Sequence, residues 1–265
     1  MNTISKKAPA GDDSYLEREY ATSTNQETRI GFYERHSTNP QGWQRWVWDR
    51  LVEALAPDAR ILELGCGPGT LWFENRERIP PGWRVTLSDF SPGMLDTARK
   101  TLQSCAHPFA FEVIDIRRDD GPRETFDAVV ANHMLFHIEA CAEALGRIHG
   151  FLDDGGKLLA ATLGKSHLRE LRTLILPFVT LPPTPDFILE TGAAELEPWF
   201  EPVVLHRYDN ALVVPEAGPL VDYVVSHDQL QPGDRPAFVR RLEEAVSEGP
   251  LHLTIDAGLF EATRR

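Results

Sequence analysis

The stretch "ILELGCGPGT", residues 61–70, decides the fold. It sets Gly65, Gly67 and Gly69 into five positions directly behind an apolar run. Glycine loses more conformational freedom on folding than any other residue, so such a cluster marks a turn that needs bare backbone. With its flanks, "RILEL" (60–64) predicts a buried strand and "GTLWFENRERI" (69–79) a helix, with the loop between them.

The alternation continues downstream. Strands are predicted at 84–90, 109–116, 126–134 and 155–164, and helices at 91–104 and 138–152. Ser91 suits the N-cap of the first helix and Pro92 its first position. Strand–helix alternation of this kind predicts a doubly wound, largely parallel α/β sheet. Before it, residues 1–14 read as a disordered tail and 15–55 as a helical segment; 56–265 make up the main domain. "GWQRWVWDRLVEAL" places Trp43, Trp46, Trp48, Leu51 and Leu55 on one wide apolar face. After the fifth strand, residues 165–200 carry four prolines between 177 and 185 and predict a helical cap over the carboxyl ends of the strands. A strand at 201–210, helices at 219–230 and 235–248 and a final strand at 253–264 complete the prediction.

Composition removes several function classes. With 27 basic against 40 acidic residues the net charge is −13, and no dense basic stripe offers a track for a phosphate backbone, so nucleic acid is a poor substrate. No apolar run approaches the length of a membrane span. The start lacks the apolar core of an export signal, which makes the cytoplasm the expected compartment. Cys66, Cys105 and Cys141 have neither disulfide-framework nor zinc-ligand spacing, and no metal site is expected. The oligomeric state is left between monomer and homodimer.

The loop itself is selective. Its spacing is G-x-G-x-G, not the G-x-G-x-x-G of dinucleotide folds, and no Gly-Lys-Ser/Thr follows it. Glu63, two residues before Gly65, disfavours a pyrophosphate and suits a ligand bearing an ammonium group. Asp89, at the end of the second strand, can accept both ribose hydroxyls, although a helix N-terminal carboxylate needs no ligand to be stabilising. Asp115, beside Ile116 at the end of the third strand, can take the exocyclic amine of adenine. Together these outline an adenosine with a cationic amino-acid tail and no phosphate.

"ILELGCGPG", "VTLSDFSPGML", "FEVIDI" and "FDAVVANHMLFHI" resemble the successive cofactor motifs of class I S-adenosylmethionine-dependent methyltransferases, in the small-molecule branch of ubiquinone- and menaquinone-type enzymes. The resemblance covers about residues 55–164. It implies a Rossmann-like seven-stranded sheet whose last strand runs antiparallel between the fifth and sixth, S-adenosylmethionine as cofactor and S-adenosylhomocysteine as product. It further implies Glu63, Gly65, Cys66, Gly67 and Gly69 around the methionine part, Asp89 on the ribose, Phe90 and Met94 flanking the cofactor, Asp115 and Ile116 at the adenine, and Asn132 and His133 beside the sulfonium. "NHML" lacks the prolines found after the fourth strand in nucleic-acid amino methyltransferases, which with the acidic charge points to a small-molecule acceptor.

His133 and His137 stand near the expected methyl group, either as base or substrate ligand or as hydrogen-bonded helix-start residues. Cys66 reads as a loop residue rather than a nucleophile. The N-terminal segment is expected to act as a lid carrying Tyr33, His36, Trp43 and Trp46, the tryptophans serving as an aromatic wall or as core. Glu190, Tyr223 and His227 are candidates for the acceptor pocket. Methyl transfer to an oxygen, nitrogen or carbon atom of a metabolite is the leading reading. A non-catalytic S-adenosylmethionine-binding module and a nicotinamide oxidoreductase are the competitors.

Overall fold

The computed structural model describes residues 24–265, apart from 119–120, 123, 140, 180–182, 228–229 and 231. The expected tail and the start of the expected lid lie outside the described residues. Strands β1 (Arg60–Leu64), β2 (Arg84–Asp89), β3 (Phe109–Val113), β4 (Phe126–Asn132), β5 (Leu152–Leu163), β6 (Phe200–Tyr208) and β9 (Ala257–Arg264) form one seven-stranded sheet. Its order is β3-β2-β1-β4-β5-β9-β6; β1 to β5 pair parallel, and β9 runs antiparallel to both neighbours. This is the sheet that the sequence implied.

Helices cover both faces, so the central strands are apolar on both sides. The period of two sorts them. Leu62, Leu64, Val129, Ala131, Leu158 and Ala160 face one core with α5 (Cys141–Phe151), Phe187 and Phe260. Ile61, Val85, Leu87, Ala128, Val130 and Leu159 face the other, filled by Trp48 from α2 (Trp43–Ala54), Trp72 from α3 (Thr70–Glu74) and Leu95 from α4 (Pro92–Leu102). Helix α4 starts as its sequence predicts, with Ser91 Oγ accepting the Met94 N–H at 3.3 Å and Pro92 in the first turn.

Three departures have physical causes. The helix expected over 69–79 ends at Glu74, where fully buried Asn75 donates its amide to the Leu71 carbonyl at 2.8 Å. The strand expected over 253–264 is two strands, β8 (Leu251–Thr254) and β9, parted at Asp256. That residue's carboxylate holds the Ser166 N–H at 3.1 Å and the Arg207 guanidinium at 3.0 Å. β8 pairs with β7 (Ala211–Val214) in a second, two-stranded sheet that the four-residue run "ALVV" was too short to reveal.

The expected cap at 165–200 is divided. Phe187, Leu189 and Leu196 join the core of the main sheet, the last from α7 (Gly192–Leu196). A separate apolar cluster gathers Phe32 from α1 (Thr24–His36), Leu171 and Ile175 from α6 (Arg169–Ile175), Leu212, Leu220 and Val224 from α8 (Ala217–Val225), Phe238 from α9 (Arg235–Val246) and Leu253. Helix α1 and the late helices thus share one core.

Candidate active site

The glycine loop leaves β1 with Gly65 at φ 66° and Gly69 at φ 80°, both in the left-handed region. A Cβ on Gly65 would lie 3.0 Å from the Met134 Cβ, so the loop is pressed against the segment that follows β4. The Cys66 N–H bonds the Ser88 carbonyl at 2.8 Å, which ties the loop to β2. Burial pushes the Cys66 thiol well up, consistent with a loop residue and not with a thiolate nucleophile.

Two buried carboxylates flank this loop. Asp89 is 5% exposed; its Oδ2 accepts the Gly67 N–H at 3.0 Å and its Oδ1 the Ser91 N–H at 2.9 Å. Burial raises its pKa despite those bonds. Glu63 is 2% exposed and accepts the Trp72 indole N–H at 2.5 Å. Burial, with the nearby Asp89 adding to it, pushes Glu63 up to about 7 while the indole bond opposes the shift. Among the described residues neither carboxylate is in an ion pair, although acids are rarely buried this deeply without a cation.

At the next strand end, Asp115 is held by Arg117 through two side-chain bonds of 2.7 Å. Burial alone would raise its pKa, but the Arg117 hydrogen bonds and charge bring it below the usual value. The Arg117 guanidinium lies over the Phe90 ring at 5.3 Å. Ile116 and Met94 are buried beside this edge, and the Met94 N–H is held by Ser91.

Asn132 ends β4 with its Oδ1 accepting the Trp43 indole N–H at 3.0 Å and its amide donating to Gln44 at 3.3 Å. His133 follows at φ 58°, a strained conformation for a residue with a side chain, and its ring lies 4.5 Å from that of Trp43. Burial holds His133 down at about 3 and His137 at about 4, so both are neutral. Trp46 packs at a tilt against Trp43 and Tyr208, each at 5.2 Å.

Helix α1 roofs this end of the sheet. Tyr33 meets Tyr223, the two hydroxyls 3.0 Å apart, and its hydroxyl also lies 3.0 Å from His167 Nε2. His36 packs on Phe32 at 5.3 Å, and His227 Nδ1 is 2.9 Å from the Tyr223 carbonyl. Glu190 is exposed and accepts the Lys165 N–H at 3.1 Å, in the loop that carries His167. Sequence reading missed His167, although "GKSHL" directly follows the fifth strand, where ligands bind in such sheets. Arg29, on the Ser226 hydroxyl at 3.2 Å, carried no sequence signal.

Residues 61–156 match the profile of a family described as a methyltransferase domain. An uncharacterized methyltransferase of Mycobacterium bovis is 34% identical over 132 residues, 49% of this chain and 64% of that protein. Aklanonic acid methyltransferase of a Streptomyces species is 30% identical over 112 residues, 41% of this chain and 51% of that one. The chain thus spans about half to two thirds of the length of these relatives. Among solved structures, a phosphoethanolamine N-methyltransferase of Haemonchus contortus matches with TM-score 0.56 and 17% identity, over 97% of this chain and 60% of that one. The [4+2]-cyclase SpnF also gives TM-score 0.56, at 15% identity and 97% of both chains; both likenesses speak to the fold. Residues 61–156 are thus a methyltransferase domain with S-adenosylmethionine as its cofactor, on a sheet ordered as the resemblance to the class I enzymes implied.

Proposed function

We propose that the protein transfers the methyl group of S-adenosylmethionine to a small-molecule acceptor held between the glycine loop and helix α1. The observation that carries the reading is the pair of buried, cation-free carboxylates on either side of the loop. The donor set fits the cofactor: Glu63 is an anion made costly by burial, and an ammonium group beside it would restore its charged form. Asp89 accepts the Gly67 and Ser91 N–H groups, and the Phe90 N–H also favours its charged form, so of about four acceptor sites on a carboxylate capacity is left for a ribose hydroxyl. Phe90 and Ile116 are assigned to the adenine, with Asp115, already bonded to Arg117, at its amine.

When bound, the cofactor supplies a methyl group activated by a sulfonium. The chain's part is to hold the acceptor in line with it, an alignment worth about 7–11 kcal/mol at most. In this reading Asn132 is fixed by Trp43 and Gln44 and keeps that indole over His133, so the wall of the reaction space is rigid. Tyr33, Tyr223 and the neutral histidines line the acceptor side and exclude water. Glu190 is not included. We assign helix α1 and the cluster around Phe238 to a roof domain and the seven-stranded sheet to the cofactor domain. Among the described residues no helix is long and apolar enough to cross a membrane, and the three cysteines are free, in keeping with a reducing, cytoplasmic setting.

The test is incubation of the full chain with methyl-labelled S-adenosylmethionine and a cell extract separated into small molecules, protein and nucleic acid. Label is expected in the small-molecule fraction. Label in protein or nucleic acid, or none transferred, contradicts the reading.

A further inference from the structure

Three side chains from three elements form a hydrogen-bonded row over the carboxyl end of the sheet. Tyr223 on α8 lies 3.0 Å from Tyr33 on α1, and Tyr33 lies 3.0 Å from Nε2 of His167, in the loop after β5. The Tyr33 and His167 rings stack at 6.0 Å, and Phe32 backs Tyr223 at 4.6 Å, so the row is held by packing as well. All three side chains are half-buried, and burial raises the pKa of both tyrosines and lowers that of His167. Among the described residues the two non-glycine residues with left-handed backbone are His133, directly after β4, and Leu168, next to His167 at the N-cap of α6. Local strain of this kind collects at functional sites.

The direction of the row follows from the His167 tautomer. Burial keeps His167 neutral, pushed down to about 4, and with its one ring proton on Nδ1 the Nε2 accepts the Tyr33 proton. Tyr33 then accepts from Tyr223, and the oxygen of Tyr223 is left to accept from a further hydroxyl. We propose, on the methyltransferase reading above, that the row Tyr223–Tyr33–His167 takes up the proton of the acceptor, and that the acceptor is a weakly acidic hydroxyl, a phenol or an enol.

The balance is complete without a further reagent. The acceptor oxygen bonds to the methyl carbon as the carbon–sulfur bond breaks, its electron pair going to sulfur. The hydroxyl proton passes through Tyr223 and Tyr33 to His167 Nε2, so one positive charge replaces another. A weak base suffices, because the proton becomes strongly acidic as the oxygen gains its methyl group. The titratable and charged groups that face the row are Arg29 and His227 on the tyrosine side, and His133, Arg172 and Asp256 near His167, with Asp256 held by Arg207. Among the described residues no carboxylate without a partner faces the row to receive a cationic amine, and a carboxylate acceptor would have no proton to give.

The test uses the full chain with S-adenosylmethionine and a panel of 4-nitrophenol, 2-naphthol, acetylacetone, benzoate and benzylamine. Formation of S-adenosylhomocysteine is followed for wild type, Tyr33→Phe, Tyr223→Phe and His167→Gln. The phenols or the enol are expected to be methylated at least tenfold faster than benzoate or benzylamine. His167→Gln and Tyr33→Phe should lower that rate by about 100-fold at neutral pH, the lower range for general-base catalysis, and leave cofactor affinity within about twofold. Wild type should keep a flat rate from about pH 6 to 8, whereas His167→Gln should speed up with the ionised fraction of the phenol.

In the free protein, the imidazole signals that vanish in His167→Gln should show a neutral ring at pH 6 by nitrogen NMR, and the Nε2 signal should move in Tyr33→Phe. Faster methylation of benzylamine or benzoate overturns the proposal. So does an unchanged rate in His167→Gln, or no turnover of any hydroxyl by a protein that binds the cofactor. Failure to bind the cofactor at all overturns the underlying reading instead.

Discussion

Asp89 Oδ2 accepts the Gly67 N–H at 3.0 Å, so the end of the second strand holds the middle of the glycine loop. One carboxylate therefore shapes the loop and is the group proposed to hold the ribose.

Replacing it should affect both. Asp89→Asn removes the charge from two backbone hydrogen bonds and turns one acceptor into a donor. Hydrogen bonds to charged groups are worth about 1.5–3 kcal/mol each. Affinity for S-adenosylmethionine should fall about 100-fold by calorimetry, with a lowered melting temperature.

Glu63 should link cofactor binding to pH. Its folded pKa is raised to about 7 from 4.5. Its contribution to stability is therefore full below about pH 4.5 and lost as pH rises through about 7, a change of about 3 kcal/mol. An ammonium group at Glu63 drives the proton off. Titration in two buffers of different ionisation heat should show close to one proton released at about pH 6 and almost none at about pH 8.5. Proton release that does not fall between these pH values would rule out the role given to Glu63, and Glu63→Gln should abolish it.

Gly65 should tolerate no side chain. Its φ of 66° costs an L-residue about 1–2 kcal/mol, and the new Cβ would press on Met134 at 3.0 Å. Gly65→Ala should lose stability by about that amount and bind cofactor at least tenfold more weakly. Gly150→Ala, near the end of α5 with open space around its Cβ, should gain up to about 1 kcal/mol and bind normally.

His133→Asn separates strain from function. Asparagine tolerates the left-handed region better than most residues, so thermal stability should hold or rise. Loss of the ring against Trp43 should lower turnover several-fold. Unchanged turnover would remove His133 from the site.

Much of this was legible in the chain. The loop, the strand ends at Asp89 and Asn132 and the cap at Ser91 depend on neighbours within a few residues, and local patterns recorded them. Tyr33 was read as a lid residue and Tyr223 as a pocket candidate, but their meeting with each other and with His167 was not legible. Tyr33 and His167 are 134 positions apart, and Tyr33 and Tyr223 are 190 apart, so their meeting depends on the packing around Phe32 and Phe238. Glu190, read as a pocket candidate, accepts the Lys165 N–H in the loop that carries His167, a bond that no local pattern marks. A carboxylate's choice between ligand and loop leaves no mark in a single sequence.

The most direct measurement is calorimetric titration of the full chain with S-adenosylmethionine, wild type beside Asp89→Ala. One saturable site per chain, lost or weakened about 100-fold in the variant, is the predicted result. No binding by wild type, or equal binding by the variant, would contradict the account.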